Sequence, residues 1–277
     1  MIDLHTHTDQ SDGTLTPAAL WELARKMRLR ALAITDHDTF AGYDRAASAA
    51  EASDLELICG IELSTSFRGQ SVHLLGYFLG QPPSDDFREW ILGLQSSRRL
   101  RNQKLVEKLQ SMGINISLKE VLERGGNLPG RPHFAALMLE KGYVQSIQEA
   151  FDRYLDEAAA GYVSRNEPEF AEAVARIAGA GGLPCLAHPK RVTRDSSLLE
   201  KYLLEMRSVG LRGIEVYHSD HSIEDCSFYR SLAERLGLAI TGGSDFHGAT
   251  KPDIELGLGR SGNLNIPMNI LDRLRQL

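Results

Sequence analysis

His5 and His7 stand two apart directly after Ile2-Asp3-Leu4, a run that reads as a strand. Residues i and i+2 of a strand face the same side, so both imidazoles can reach one cation. With nine histidines in 277 residues, chance gives roughly 0.3 such pairs, so this one alone is a weak sign. Its position strengthens it, because similar residues recur at other strand ends. His37 follows Ala31–Thr35 in Thr35-Asp36-His37-Asp38, and Glu62 follows Leu55–Cys59 in Gly60-Ile61-Glu62. His188 follows Leu183–Ala187, and Asp245 and His247 follow Leu238–Thr241. His73 differs, lying inside the apolar run Val72–Leu79. Imidazoles mixed with carboxylates, and no thiolate, suit manganese, iron or zinc in an open catalytic site.

These residues need a scaffold that brings strand ends together. Thr16-Pro17 supplies an N-cap and first-turn proline, and Leu20, Leu23, Ala24 and Met27 mark one helical face. An alanine-rich helix is expected over Tyr43–Ala52, and no helix separates the strands Leu55–Cys59 and Val72–Leu79. From Gln81 to Tyr162 the signals are mainly helical: Ser97–Met112 ending at Gly113, a capping box at Ser117 and Glu120, and a helix opened by Arg131-Pro132 and closed by Gly142. Strands return at Leu183–Ala187, Gly213–Tyr217 and Leu238–Thr241. About seven strands alternating with helices imply a parallel α/β barrel or a doubly wound sheet. It would comprise residues 1–80 and 163–277, interrupted by a helical insertion over 81–162. In a parallel barrel all strand carboxyl ends lie on one face, where active sites are built.

Composition narrows the class. A net charge of −6 argues against broad electrostatic adhesion to nucleic acid, although bound divalent cations would reverse the field locally. Cys59, Cys185 and Cys226 are an odd set without metal-knuckle spacing, which fits a reducing compartment. No apolar run approaches the roughly 18 residues of a membrane span. The start, Met1-Ile2-Asp3-Leu4-His5, lacks a basic and apolar leader. A cytoplasmic protein with no membrane partner is expected.

Several motifs occur in a fixed order: Asp3-Leu-His5-Thr-His7, Ser11-Asp12-Gly13-Thr14-Leu15-Thr16-Pro17, Ala33-Ile-Thr-Asp36-His37-Asp38-Thr39, Gly60-Ile-Glu62, Val72-His73-Leu-Leu-Gly76, Leu186-Ala-His188-Pro189 and Thr241-Gly-Gly-Ser-Asp245-Phe-His247-Gly248. Together they resemble the polymerase and histidinol phosphatase (PHP) family of metal-dependent phosphoesterases. Gly130-Arg131-Pro132-His133 and Ala150-Phe151-Asp152-Arg153-Tyr154-Leu155 are similar to its stand-alone bacterial branch. Members of that branch are 3′,5′-nucleoside bisphosphate phosphatases or 5′→3′ exonucleases on short RNA. The resemblance implies a distorted (β/α)7 barrel and two or three divalent ions, with manganese the first expectation and iron or zinc the alternatives. It places one ion on His5, His7, Glu62 and Asp245, a second on Glu62, His73 and His188, and a third on Asp12, His37 and His247. Some family members have His where Asp12 stands. The expected mechanism uses a metal-bridging hydroxide, held between Glu62 and Asp245, attacking phosphorus in line.

Ser96-Ser97-Arg98-Arg99-Leu100-Arg101 reads as arginines at a helix start, where backbone N–H groups also favour anions. Guanidinium forks match phosphate geometry, and Arg131 opens another helix beside His133. Arg98, Arg99, Arg101, Arg131 and His133 are therefore candidate contacts to a second, non-reacting phosphate, against the alternative of a solvated basic face. Asp36 is a candidate to orient a ligand or cap a turn, and His218 a candidate to touch a ligand or substrate. His221, Lys190 and Arg191 carry less weight.

The expected partner is a small nucleotide or short RNA, with no stable nucleic-acid complex. The leading reading is a phosphatase acting on a nucleotide with two phosphates, and the second is a short-RNA exonuclease. Histidinol phosphatase fits the arginine-bearing insertion less well. A non-catalytic, metal-dependent nucleic-acid-binding protein is the reading from another class. Acidic composition and a full ligand set argue against it.

Overall fold

The computed structural model describes residues 1–277 apart from 51–53, 126–127 and 165. Among the described residues, one sheet holds seven strands side by side in chain order. They are β1 (Ile2–Asp3), β2 (Ala31–Ile34), β3 (Glu56–Phe67), β4 (Gln70–Phe78), β5 (Leu183–Leu186), β6 (Gly213–His218) and β7 (Ala239–Gly243). The Leu4 N–H donates to the Gly242 carbonyl at 3.2 Å, and the Asp245 N–H donates to that of His5 at 2.8 Å. The sheet thus curls back onto itself as a nearly closed, distorted (β/α)7 barrel.

Helix α1 (Pro17–Lys26) begins as its sequence dictates: Thr16 Oγ1 accepts the Ala19 N–H at 3.2 Å and Pro17 fills the first position. Helix α2 (Ala41–Ala50) follows β2, and the end expected at Ala52 lies outside the described residues. Leu32 and Ile34 of β2 face outward onto Leu20, Trp21 and Ala24 of α1, while Ala31 and Ala33 face the barrel interior. The same alternation turns Ile58 of β3 and Leu75 and Tyr77 of β4 inward. Glu62 and His73 share their parity and face inward too. Cys59 and Cys185 are buried free thiols.

Two expectations about the strands are corrected. The sheet is not all parallel: β4 runs antiparallel to both β3 and β5. The cause is the two-residue turn Arg68-Gly69, with φ 53° and 77°, the left-handed pair that a tight hairpin requires. Glu62 also does not follow its strand but sits midway along β3. The polar residues Ser64, Thr65 and Ser66 continue the strand beyond its apolar start and hide its length.

The insertion opens with α3 (Asp85–Ser111), much longer than the helix expected from Ser97. Ser84 precedes an acidic first turn, Asp85-Asp86, as a helix start favours. The periodicity is masked because α3 changes partners along its length. Phe87 and Ile91 pack in the barrel's outer core, whereas Leu105, Val106 and Leu109 pack in a separate core. Helices α4 (Leu118–Gly125), α5 (Arg131–Glu140) and α6 (Ile147–Ala150), followed by a π-helical turn over Phe151–Leu155, complete that second core. Glu120 closes the expected capping box, accepting the Ser117 N–H at 2.8 Å. Helices α7 (Phe170–Gly179), α8 (Ser196–Ser208) and α9 (Ile223–Leu236) cover the sheet's outer face, and α10 (Asn269–Leu274) packs against the interior apolar cluster. Among the described residues no helix is long and apolar enough to cross a membrane.

Candidate metal centre

Glu62 is the hub of the strand-end cluster. Its Oε2 lies 3.3 Å from His5 Nε2, 3.2 Å from His7 Nε2 and 3.2 Å from His37 Nδ1. Its Oε1 lies 2.9 Å from both His73 Nδ1 and His188 Nε2. One carboxylate therefore faces two sets of imidazoles, the geometry of a bridging ligand. Asp245 Oδ1 completes the first set, 3.6 Å from His5 Nε2 and 3.4 Å from His7 Nε2. Asp12 gathers a third, with Oδ1 3.2 Å from His247 Nε2 and Oδ2 3.6 Å from His37 Nε2. His7 Nδ1 also approaches Asp12 Oδ1 at 3.4 Å. All nine ligand candidates converge, and His37 stands between the second and third sets.

The donor chemistry fits divalent cations. His5 Nε2, His7 Nε2 and His37 Nδ1 are buried and make no hydrogen bond among the described residues, although all three face the same Glu62 oxygen. A buried polar atom without a partner is costly, and cations would satisfy all three. His5 and His7 share one ligand group with Glu62 and Asp245, while His37 belongs to two others, with Glu62 and His73 and with Asp12 and His247. Burial holds His37 down to about 3 and lowers His188 and His247 as well, so these rings are neutral, the ligating form. Burial works against protonation of His7 too, but the Asp245 and Glu62 carboxylates beside Nε2 raise it to about 9. His7 would lose that proton on ligating a cation. Asp245 is buried, which opposes its ionisation, yet the Lys251 ammonium beside it holds its carboxyl well below the usual range.

Further residues fix the ligands in place. Glu215 Oε1 pairs with His5 Nδ1 at 2.8 Å, and its Oε2 accepts the His188 N–H at 2.7 Å. Asp3 accepts the Ser244 N–H at 2.9 Å, Ser244 Oγ at 2.6 Å and the Gly257 N–H at 2.8 Å, tying down the segment that carries Asp245. Gly243 lets that segment approach β1, since a Cβ there would collide with the backbone of His5. Among the described residues Asp36 hydrogen-bonds no ligand ring directly and reaches His7 Nδ1 only through Ser11 Oγ. It accepts the Thr8 N–H at 2.7 Å and Ser11 Oγ at 2.6 Å, bracing the turn that leads to Asp12. Asp38, His188 and Asp245 hold φ of 53°, 23° and 55°, strain of about 1–3 kcal/mol each that persists only where surroundings enforce it.

Asp245 Oδ2 is bound from the other side. Lys251 Nζ donates at 2.6 Å, Arg191 Nη2 at 3.2 Å and His218 Nε2 at 3.3 Å. His218 Nδ1 accepts the Asp220 N–H at 3.0 Å, so the ring proton is on Nε2. His221 is separate, its Nδ1 donating to the Val216 carbonyl at 2.8 Å. Lys190 pairs with Asp225 at 2.6 Å.

A cavity of about 910 Å³ joins the cluster to the insertion. Its walls include Asp12, His37, Glu62, His73, Asp245 and His247 from the barrel, and Arg98, Arg101, Arg124, Arg131, His133, Phe151 and Tyr162 from the insertion. Arg131 Nη1 donates to the Leu155 carbonyl at 3.1 Å, with the guanidinium 5.9 Å from the Tyr162 ring centre. His133 Nδ1 accepts the Gly130 N–H at 3.0 Å, leaving Nε2 as donor, and burial keeps the ring neutral. The arginine cluster differs from its sequence reading. It lies more than three turns inside α3, so no helix N-terminus assists it. Arg99 is exposed and outside the cavity wall. Arg98 is buried and donates to Asp38.

Sequence reasoning missed Glu215, Asp3, Lys251 and the Arg98–Asp38 pair. For Glu215 one signal existed: a lone acid in the apolar strand Gly213-Ile-Glu-Val.

Residues 3–163 match the PHP domain family. The chain is 33% identical over 249 residues to a 3′,5′-nucleoside bisphosphate phosphatase of Chromobacterium violaceum, covering 89% of this chain and 87% of that one. It is 34% identical over 264 residues to a 5′-3′ exoribonuclease of Escherichia coli, covering 93% and 88%. Among solved structures, one from Bifidobacterium adolescentis classed as a metal-dependent phosphoesterase superposes with a TM-score of 0.85 at 33% identity, over 98% of this chain and 94% of that one. With the cluster of buried imidazoles and carboxylates, these likenesses identify the chain as an enzyme that belongs to the PHP family of metal-dependent phosphoesterases.

Proposed function

We propose that the enzyme removes the 3′-phosphate from nucleoside 3′,5′-bisphosphates, with two or three divalent ions, manganese first, held by the nine clustered ligands. The observation that carries this reading is the single cavity whose barrel wall is the ligand cluster and whose insertion wall is cationic. Arg131 pairs with no carboxylate among the described residues; its one hydrogen bond is to a carbonyl, so most of its five donors are available to an anion. The His133 Nε2–H adds a neutral donor. The two walls suit two phosphates, one reacting and one clamped, and Phe151 and Tyr162 offer apolar surface for the nucleoside between them. Bound metal supplies Lewis acidity to a water and to the phosphoryl oxygens. The chain's own part is to hold that cluster rigid through Glu215, Asp3 and Asp36, and to clamp the far phosphate. Glu62 and Asp245, which both face the His5 and His7 rings, would also set where a nucleophile lies.

A second reading, 5′→3′ exonuclease action on short RNA, is favoured by the exoribonuclease relative at nearly equal identity. Phosphate or nucleotide release from mononucleotides, bisphosphates and short 5′-phosphorylated RNAs, each with Mn²⁺, separates the two. The proposal expects the highest kcat/KM on the bisphosphate. A higher value on RNA selects the exonuclease, and no preference for a second phosphate removes the clamp.

A further inference from the structure

We propose that Arg98 is a positioning residue for the metal centre, holding His37 in ligating position through Asp38. The seating of the insertion would then set the cation affinity of the barrel. The inference rests on the reading of His37 as a ligand, and it replaces a role for Arg98 as a substrate anchor.

Asp38 directly follows His37, is fully buried and holds φ 53°. A non-glycine residue keeps that left-handed conformation only when its neighbours hold it there. The neighbours are identifiable. The Asp38 N–H donates to the Glu62 carbonyl at 3.0 Å, and Oδ1 accepts the Ser64 N–H at 3.2 Å, both from β3. From α3, Gln95 Nε2 donates to the Asp38 carbonyl at 3.0 Å. Arg98 donates to Oδ2 through Nη2 at 2.5 Å and Nε at 3.2 Å. Gln95 and Arg98 are three residues apart, hence on one helical face, and both are buried.

This geometry has two consequences. The Asp38 carboxylate is committed to a guanidinium, so an acid adjacent to a ligand stays out of the ligand set. Its backbone is also held between β3 and α3, and so is that of His37, whose Nδ1 and Nε2 face Glu62 and Asp12 at 3.2 and 3.6 Å. Because His37 serves two ligand sets, a small shift of this segment would disturb both. Helix α3 is continuous from Phe87 in the barrel core to Leu109 in the insertion core, so a displaced insertion would pull on Asp38.

The test is Mn²⁺ titration of the chelator-stripped full chain, without substrate, by calorimetry and by metal content after desalting. Arg98→Met should weaken at least one class of Mn²⁺ site by about ten- to a hundredfold, the usual effect of losing a residue that orients a ligand. Arg98→Lys should recover part of the loss, and Arg99→Met on the exposed flank should change nothing. If Arg98→Met does not fold, Arg98→Met/Asp38→Asn removes both buried charges and should show the same weakening. Unchanged affinity in the folded Arg98 variants, with His37→Ala weakened, overturns the inference and leaves the metal centre standing. Unchanged affinity in His37→Ala removes the ligand reading and the inference with it. Neither result depends on which nucleotide the enzyme cleaves.

Discussion

Glu215 Oε1 lies 2.8 Å from His5 Nδ1, and both side chains are wholly buried. Against its burial, Glu215, Glu62 and Asp245 hold the His5 ring well above the ordinary imidazole value. On ligating a cation Nε2 would give up its proton while Nδ1–H stays on Glu215. Such carboxylate–histidine pairs orient a ligand and raise its basicity. Glu215→Gln retains the size but weakens the acceptor, and should lower metal affinity or kcat by about ten- to a hundredfold. Metal titration and steady-state kinetics on the folded variant check this. Wild-type values in both would make Glu215 only a support for the His188 backbone.

Asp245 is shared between the ligand cluster and three donors, Lys251, Arg191 and His218. Asp245→Asn should keep the fold, because Lys251 and Arg191 can still reach an amide oxygen. It should lose most turnover and bind fewer metal equivalents per chain. Elemental analysis and circular dichroism on the same sample distinguish a lost ligand from a lost fold.

Arg131 should act on binding rather than chemistry. Removing a charge-assisted hydrogen bond costs roughly 1.5–3 kcal/mol, or about ten- to a hundredfold in kcat/KM. Arg131→Ala should therefore impair a bisphosphate far more than the matching monophosphate, with metal content unchanged. Lysine should rescue only partly, since it lacks the planar fork. Equal losses on both substrates would place Arg131 at the reaction centre.

The insertion has its own pH signature. Hydrogen bonds from Lys141 and then Ser117 hold the Glu120 carboxyl down to about 2, from an ordinary 4.5. A depressed carboxyl stabilises the fold fully above its unfolded value, and that contribution fades as pH falls through the folded one. The loss should thus run from about pH 4.5 to about pH 2. Carboxyl-carbon NMR should show Glu120 titrating near the lower limit, and Lys141→Met should move it upward. Titration at an ordinary value in the wild type would contradict the pairing.

The residues legible in the sequence were those whose chemistry is conspicuous at strand ends. His5, His7, His37, His188, Asp245 and His247 follow short apolar runs, and the barrel brings those ends together. Glu62 was legible as a ligand but not as a mid-strand residue, because the inward face of β3 is polar beyond Ile61. Glu215 was harder still: an acid in a strand reads equally as solvent-facing until the partner across the barrel, His5, is placed. The arginines failed for a different reason. Helical phase needs a correct start, and α3 changes its buried face midway, so Arg98 and Arg101 were grouped with the exposed Arg99.

The most direct test of the account is phosphate release from a nucleoside 3′,5′-bisphosphate by enzyme stripped with chelator, before and after Mn²⁺ is restored. The cluster centred on Glu62 leaves the chain's own residues without a nucleophile assigned to attack phosphorus, and gives cations the ligands to supply one. The expected result is loss of release on stripping and its recovery with Mn²⁺. Undiminished turnover in rigorously metal-free enzyme would contradict the account at its centre.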